Sequence, residues 1–130
     1  MNPPRFISLD QVMVLHGISL ERFKGLDGTR EPGLVDSALA SAENAFWYGH
    51  GDLFGVAAAY AFHLAESQAF FDGNKRTGAA AALVFLELNG IGLPASADLE
   101  IHQALIAVAK KTLDKDGLAR LLRNLADKGN

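Results

Sequence analysis

The stretch Gln68-Ala-Phe-Phe-Asp72-Gly73-Asn74-Lys75-Arg76-Thr77-Gly78 concentrates residue types that bind phosphate. The apolar run after it predicts a helix opening near Lys75. A helix start carries unpaired backbone N–H groups and about half a positive charge. Acidic side chains are favoured there, and basic ones cost roughly a few tenths of a kcal/mol each. Lys75 and Arg76 nonetheless fall in that first turn. A bound anion would offset the cost. Gly73 allows a tight turn and close approach, Asn74 offers an amide, and the free N–H groups complete an anion nest. A polyphosphate also calls for a cation, and Asp72 is the only carboxylate in the segment. It is placed to hold a Mg²⁺ bridging phosphate oxygens while Arg76 takes a terminal phosphate bidentately. The same residues have a plainer reading, with Asp72 as the helix N-cap and Lys75 and Arg76 in solvent. Composition alone does not choose between the two.

The elements that must position this segment are helical. Ser8 and Gln11 fit a capping box for a short first helix that Gly17 would end, and Ser19 to Lys24 predicts a second. Gly25 to Gly33 holds four turn-formers in nine residues and predicts a loop or small hairpin. Val35, Ala38, Leu39, Ala42 and Phe46 form one apolar stripe. Leu53 to Glu66 and Lys75 to Asn89 are apolar almost all round, so they predict a central hairpin joined by residues 67–74. Asn89-Gly90 stops the second of these helices. Two further stripes follow, Ile101, Ala104, Leu105, Val108 and then Leu118, Leu121, Leu122, Leu125. Strand alternation is almost absent, with Ile91-Gly-Leu93 able at most to pair briefly. The fold class expected is all-α, a bundle of about six helices forming one domain over residues 1–130.

The bulk numbers agree. With 130 residues, 49% apolar and 21% charged, the chain has the composition of a globular protein. It has no cysteine, which excludes a disulfide framework and a thiolate nucleophile. A net charge of −3 with no basic stripe argues against direct nucleic-acid binding. The start MNPPRFISLDQ does not read as a signal peptide, and the longest apolar stretch, Gly78 to Leu86, is too short for a membrane span. A cytoplasmic protein is expected.

The 68–78 segment resembles the signature loop of the Fic/Doc family, His-x-Phe-x-Asp/Glu-Gly-Asn-Gly/Lys-Arg, followed by the Thr frequent in its Doc (death-on-curing) branch. Phe70, Asp72, Gly73, Asn74, Lys75, Arg76 and Thr77 match. Residues 29–39 resemble the family's G-x-R-D-x-G-L-L-E-S-A-L stretch, and Phe85-Leu-Glu-Leu-Asn89-Gly90 its FL-x-x-NG helix end. The resemblance implies an all-helical fold with ATP as co-substrate in the loop and transfer of a phosphate or nucleotidyl group to a protein hydroxyl. In Doc-type toxins the group is phosphate and the known kind of target is elongation factor Tu. By motif position, Asp72 would hold the Mg²⁺ and the Gly73–Lys75 backbone with Asn74 would form the anion hole. Arg76 would bind phosphate, with Thr77 among the nucleotide-binding residues. Gly25–Gly33 looks like the family's flap, which aligns the target beside the nucleotide.

One departure matters. The family's general base is a His four residues before the acidic residue, and here that place is Gln68. An amide can orient a hydroxyl but cannot take its proton. Three outcomes follow: a slow enzyme, a binding protein without chemistry, or an introduced inactivating change at Gln68. His63, five residues earlier, reads as a packing or surface residue, while His16, His50 and His102 lie in other elements. Phe46, Trp47 and Tyr48 read as core, and Lys110-Lys111 as a helix end favoured by the dipole. The family's inhibitory Ser/Thr-x-x-x-Glu-Gly/Asn motif is absent, because Glu43-Asn44 follows Leu39 by the wrong residue type. That implies inhibition in trans by an antitoxin.

Overall fold

A computed structural model describes residues 3–49 and 51–128, and His50 lies outside them. Among the described residues six helices follow one another: α1 (Leu9–Phe23), α2 (Pro32–Trp47), α3 (Leu53–Glu66), α4 (Asn74–Leu88), α5 (Ala97–Ala109) and α6 (Lys115–Lys128). Their ends obey local chemistry. Ser8 and Gln11 form the expected capping box on α1, Pro32 opens α2, Asp52 caps α3 through Gly55 N–H, and Asn89 then Gly90 at φ +87° close α4. The all-helical class expected from periodicity is the one found, with no strand among the described residues.

Helix α3 occupies the centre. It packs most extensively on α4 and also meets α2, α5 and α6. Its buried run Val56-Ala57-Ala58-Ala59-Tyr60-Ala61 presents small side chains on several sides, so neighbouring backbones approach closely. Gly78 on α4 marks the tightest crossing, where an added Cβ would lie 2.7 Å from the Ala61 carbonyl oxygen. Backbone cannot yield cheaply. Gly78→Ala should therefore lower stability by about 1–3 kcal/mol through overpacking, outweighing the ~1 kcal/mol gain in helix propensity. Denaturant unfolding measures the balance, and a stabilised variant would show that the two helices can separate. One apolar cluster draws on every helix, with Phe85, Tyr60, Leu64, Leu105, Leu122 and Val35 among its fully buried members. The Tyr60 phenol is pushed up to about 12 by burial, and its oxygen accepts from Ile7 N–H at 3.0 Å.

Two expectations need correction. Gly17 does not end a helix, because α1 runs unbroken through it. The penalty of a helical glycine is only about 1 kcal/mol, and His16 and Ser19 are buried on either side, so tertiary contact holds the backbone. The aromatic end of α2 is also not core throughout. Phe46 packs edge-on to Phe6 at 6.1 Å, but Trp47 and Tyr48 are 53% and 80% exposed. His63 is half-buried as expected. Burial and the nearby Lys115 ammonium lower its pKa, and its Nε2 lies 3.1 Å from Lys115 Nζ on α6. Arg123 of α6 pairs with Asp52 at the exposed start of α3.

Candidate functional site

The segment between α3 and α4 is held from three directions. Helix α3 ends at Ser67, and Gln68 then turns the chain in the left-handed region at φ +54°. The Gln68 side chain is exposed, and its Nε2 donates to Ala65 O at 3.2 Å. Asn74 staples the loop from within. Its buried amide accepts from Phe70 N–H at 3.0 Å and donates to Phe70 O at 2.9 Å. His16 of α1 braces it from beneath, its ring stacked on Phe70 at 3.7 Å and its Nε2 donating to Asp72 O at 2.8 Å.

The third support is the turn-rich segment after α1. It forms neither a free loop nor a hairpin of its own, but bridges to the site through one antiparallel pair, Thr29 with Phe70. Arg30 N–H donates to Ala69 O at 2.7 Å and Phe71 N–H to Gly28 O at 3.3 Å. Leu26 N–H donates to Asp72 Oδ2 at 2.7 Å. Gly25 sits so close that a Cβ there would lie 3.1 Å from Asp72 Cβ.

Asp72 is thereby not the N-cap of α4. That place belongs to Gly73, left-handed at φ +83°, and no side chain among the described residues caps the helix start. The positive helix end is open, and Lys75 and Arg76 stand beside it. A polar cleft of about 230 Å³ collects Gln68, Phe71, Asp72, Gly73, Asn74, Lys75, Arg76 and His102. The structure brings together all the expected site residues except Thr77, which is fully buried with its hydroxyl unpartnered among the described residues. Its side chain faces the core and not the cleft. Asn74 lines the cleft, but its amide is committed to Phe70 on both sides, so what it can offer an anion is chiefly its backbone N–H.

Arg76 is exposed and stacks over Phe23 at 4.1 Å. There the polar cleft meets a second, more apolar one of about 310 Å³ between α1, α4 and α5, with Leu15, Ile18, Phe23, Ala80 and Leu99 in its walls. Both clefts share Arg76 and His102. Sequence reasoning missed the placement of His16 and His102 at the site, because their neighbours lie on other elements and no local spacing announces them.

No group of three or more carboxylate or histidine side chains gathers among the described residues. Asp72 is a lone exposed carboxylate whose Oδ1 accepts from no protein donor among them. Such a site suits Mg²⁺, which keeps several waters and binds through one or two carboxylates plus phosphate oxygens. No described helix is long and apolar enough to cross a membrane.

Two known proteins are similar to this chain over most of its length. "Protein kinase doc" of Escherichia phage P1 is 33% identical over 121 residues, which is 90% of this chain and 95% of that protein. "Toxin Doc" of Mycolicibacterium smegmatis is 38% identical over 122 residues, 91% of this chain and 92% of that one. The model of the Fic/DOC family matches residues 6–86, from the N-terminal segment through α1, the flap and most of α4. With the signature loop and both of its supporting segments inside that match, the chain belongs to the Fic/DOC family.

Proposed function

We propose that the chain is a Doc-type toxin that transfers a phosphate from Mg·ATP to a protein hydroxyl, slowly, because Gln68 replaces the proton acceptor. The observation that carries this reading is the uncapped start of α4, opening with two cations onto a polar cleft. The name "Protein kinase doc" borne by a relative supports the choice of phosphate over a nucleotidyl group. Arg76 grips phosphate oxygens bidentately, and the N–H groups of residues 73–75 receive the charge that builds on them. Asp72 would hold the Mg²⁺, which neutralises charge on the phosphate oxygens. The flap, paired to the loop at Thr29, lays the target chain beside the cleft; elongation factor Tu is the target to try first.

The hydroxyl oxygen forms a bond to the γ-phosphorus as the bond to the β-phosphate oxygen breaks, and ADP leaves. The transition state is loose, so the hydroxyl loses its proton late, to a phosphoryl oxygen or water. Gln68 can orient the hydroxyl without taking that proton. The same residue favours a second reading, a protein that binds nucleotide or antitoxin without chemistry.

An antitoxin restrains the protein in trans. The apolar cleft suits its amphipathic helix, since Ile18 and Leu99 are 46% and 61% exposed there and the cleft ends at Arg76. The central test uses Mg·ATP. At a hundredfold excess over Kd, binding should stabilise the fold by about 2.7 kcal/mol, several degrees in Tm. Labelled γ-phosphate should appear slowly on elongation factor Tu. Stabilisation without label supports the non-catalytic reading, and absence of both removes the nucleotide site.

A further inference from the structure

We propose that His102, carried by α5, is a phosphate-binding residue of the polar cleft that takes up a proton as polyphosphate enters. This rests on the reading of that cleft as a polyphosphate site. His102 is half-buried and lies at the seam of the two clefts, across the helix interface from Lys75 and Arg76. The charged groups that face it are Lys75 and Arg76 from α4, Arg22 from α1, Asp98 from its own helix and Asp72 from the loop across the cleft. Among the described histidines it alone lines the cleft, for His16 is buried beneath the loop and His63 faces α6.

In the free protein the neutral ring is favoured. Burial lowers the pKa of His102 first, Arg76 and Lys75 add to this, and Asp98 opposes them. A polyphosphate at the α4 terminus reverses that balance. Its charges cancel those of Lys75 and Arg76 and attract a further cation, so an imidazolium becomes a third charged donor. The proton comes from solvent and goes to a ring nitrogen. The bound state then holds more protons than the free state, so affinity rises as pH falls through the ordinary imidazole range.

The test is calorimetry of Mg·ATP binding to the full chain, in two buffers of different ionisation enthalpy near neutral pH, with NMR titration of the imidazole signals. The wild type should take up a fraction of a proton. His102→Asn should take up none, bind several-fold more weakly in mild acid, and bind nearly as well in mild base. The His102 signal should titrate below an ordinary histidine when free and move upward with Mg·ATP or inorganic triphosphate. The NMR arm stands even if His102→Asn folds poorly. Binding with no proton uptake, or equal uptake in the variant, overturns the proposal. Loss of transfer with uptake and affinity unchanged also overturns it, assigning the ring to proton abstraction instead. A wild type that binds no nucleotide fails earlier, at the site reading itself.

Discussion

Gln68→His should raise the rate of phosphate transfer by about 10²–10⁴, the span a positioned general base supplies. That corresponds to roughly 3–5 kcal/mol from the barrier. The backbone at this position is left-handed, at φ +54°, a region in which histidine is enriched over most residues, so the exchange fits the existing turn. The side chain is exposed at the cleft and bonds only Ala65 O among the described residues, so little is lost by replacing it. The new activity should rise with pH through the imidazole range, around pH 6.5, while the wild-type profile lacks that limb. Labelled ATP with elongation factor Tu gives the rate, and calorimetry gives the affinity. An unchanged rate at unchanged affinity would end the assignment of position 68 to the hydroxyl proton.

Arg76→Ala should weaken Mg·ATP binding by about tenfold to 150-fold, the roughly 1.5–3 kcal/mol typical of a hydrogen bond to a charged group. Stability should change far less. The stacking on Phe23 is an exposed cation–π contact worth about 0.5–1 kcal/mol, and removing a cation from the first turn of α4 recovers a few tenths of a kcal/mol. Arg76→Lys separates charge from geometry: it keeps the former and loses the planar fork, so it should recover only part of the affinity. Affinity indifferent to both changes would mean that the cation serves the Phe23 contact alone.

The helices were legible because their signals are local. The Ser8–Gln11 box, the Asn89-Gly90 stop and the all-round apolarity of α3 and α4 are read from neighbours within a few residues. Gly17 misled for the same reason, since a local breaker signal is overridden by burial of His16 and Ser19 that only the packed bundle creates. Trp47 and Tyr48 misled because aromatic character predicts burial only on average, and at the end of α2 the rings of Phe6 and Phe46 cover only part of Trp47. Most of the site, Gln68 to Arg76, was legible as a contiguous motif. Its supports were not: His16 reaches Asp72 across 56 residues and Leu26 reaches it across 46. Nor does sequence reveal that Asn74 spends its amide on Phe70 or that Thr77 turns inward.

The bond from Leu26 to Asp72 has a mechanical consequence. One oxygen of the carboxylate moors the turn-rich segment after α1, and on the proposed function the other would be left for the cation. On that proposal, the segment that guides the acceptor and the site that anchors the donor would be indexed to a single side chain. Movement of one would then be felt by the other, which would keep acceptor and donor in step.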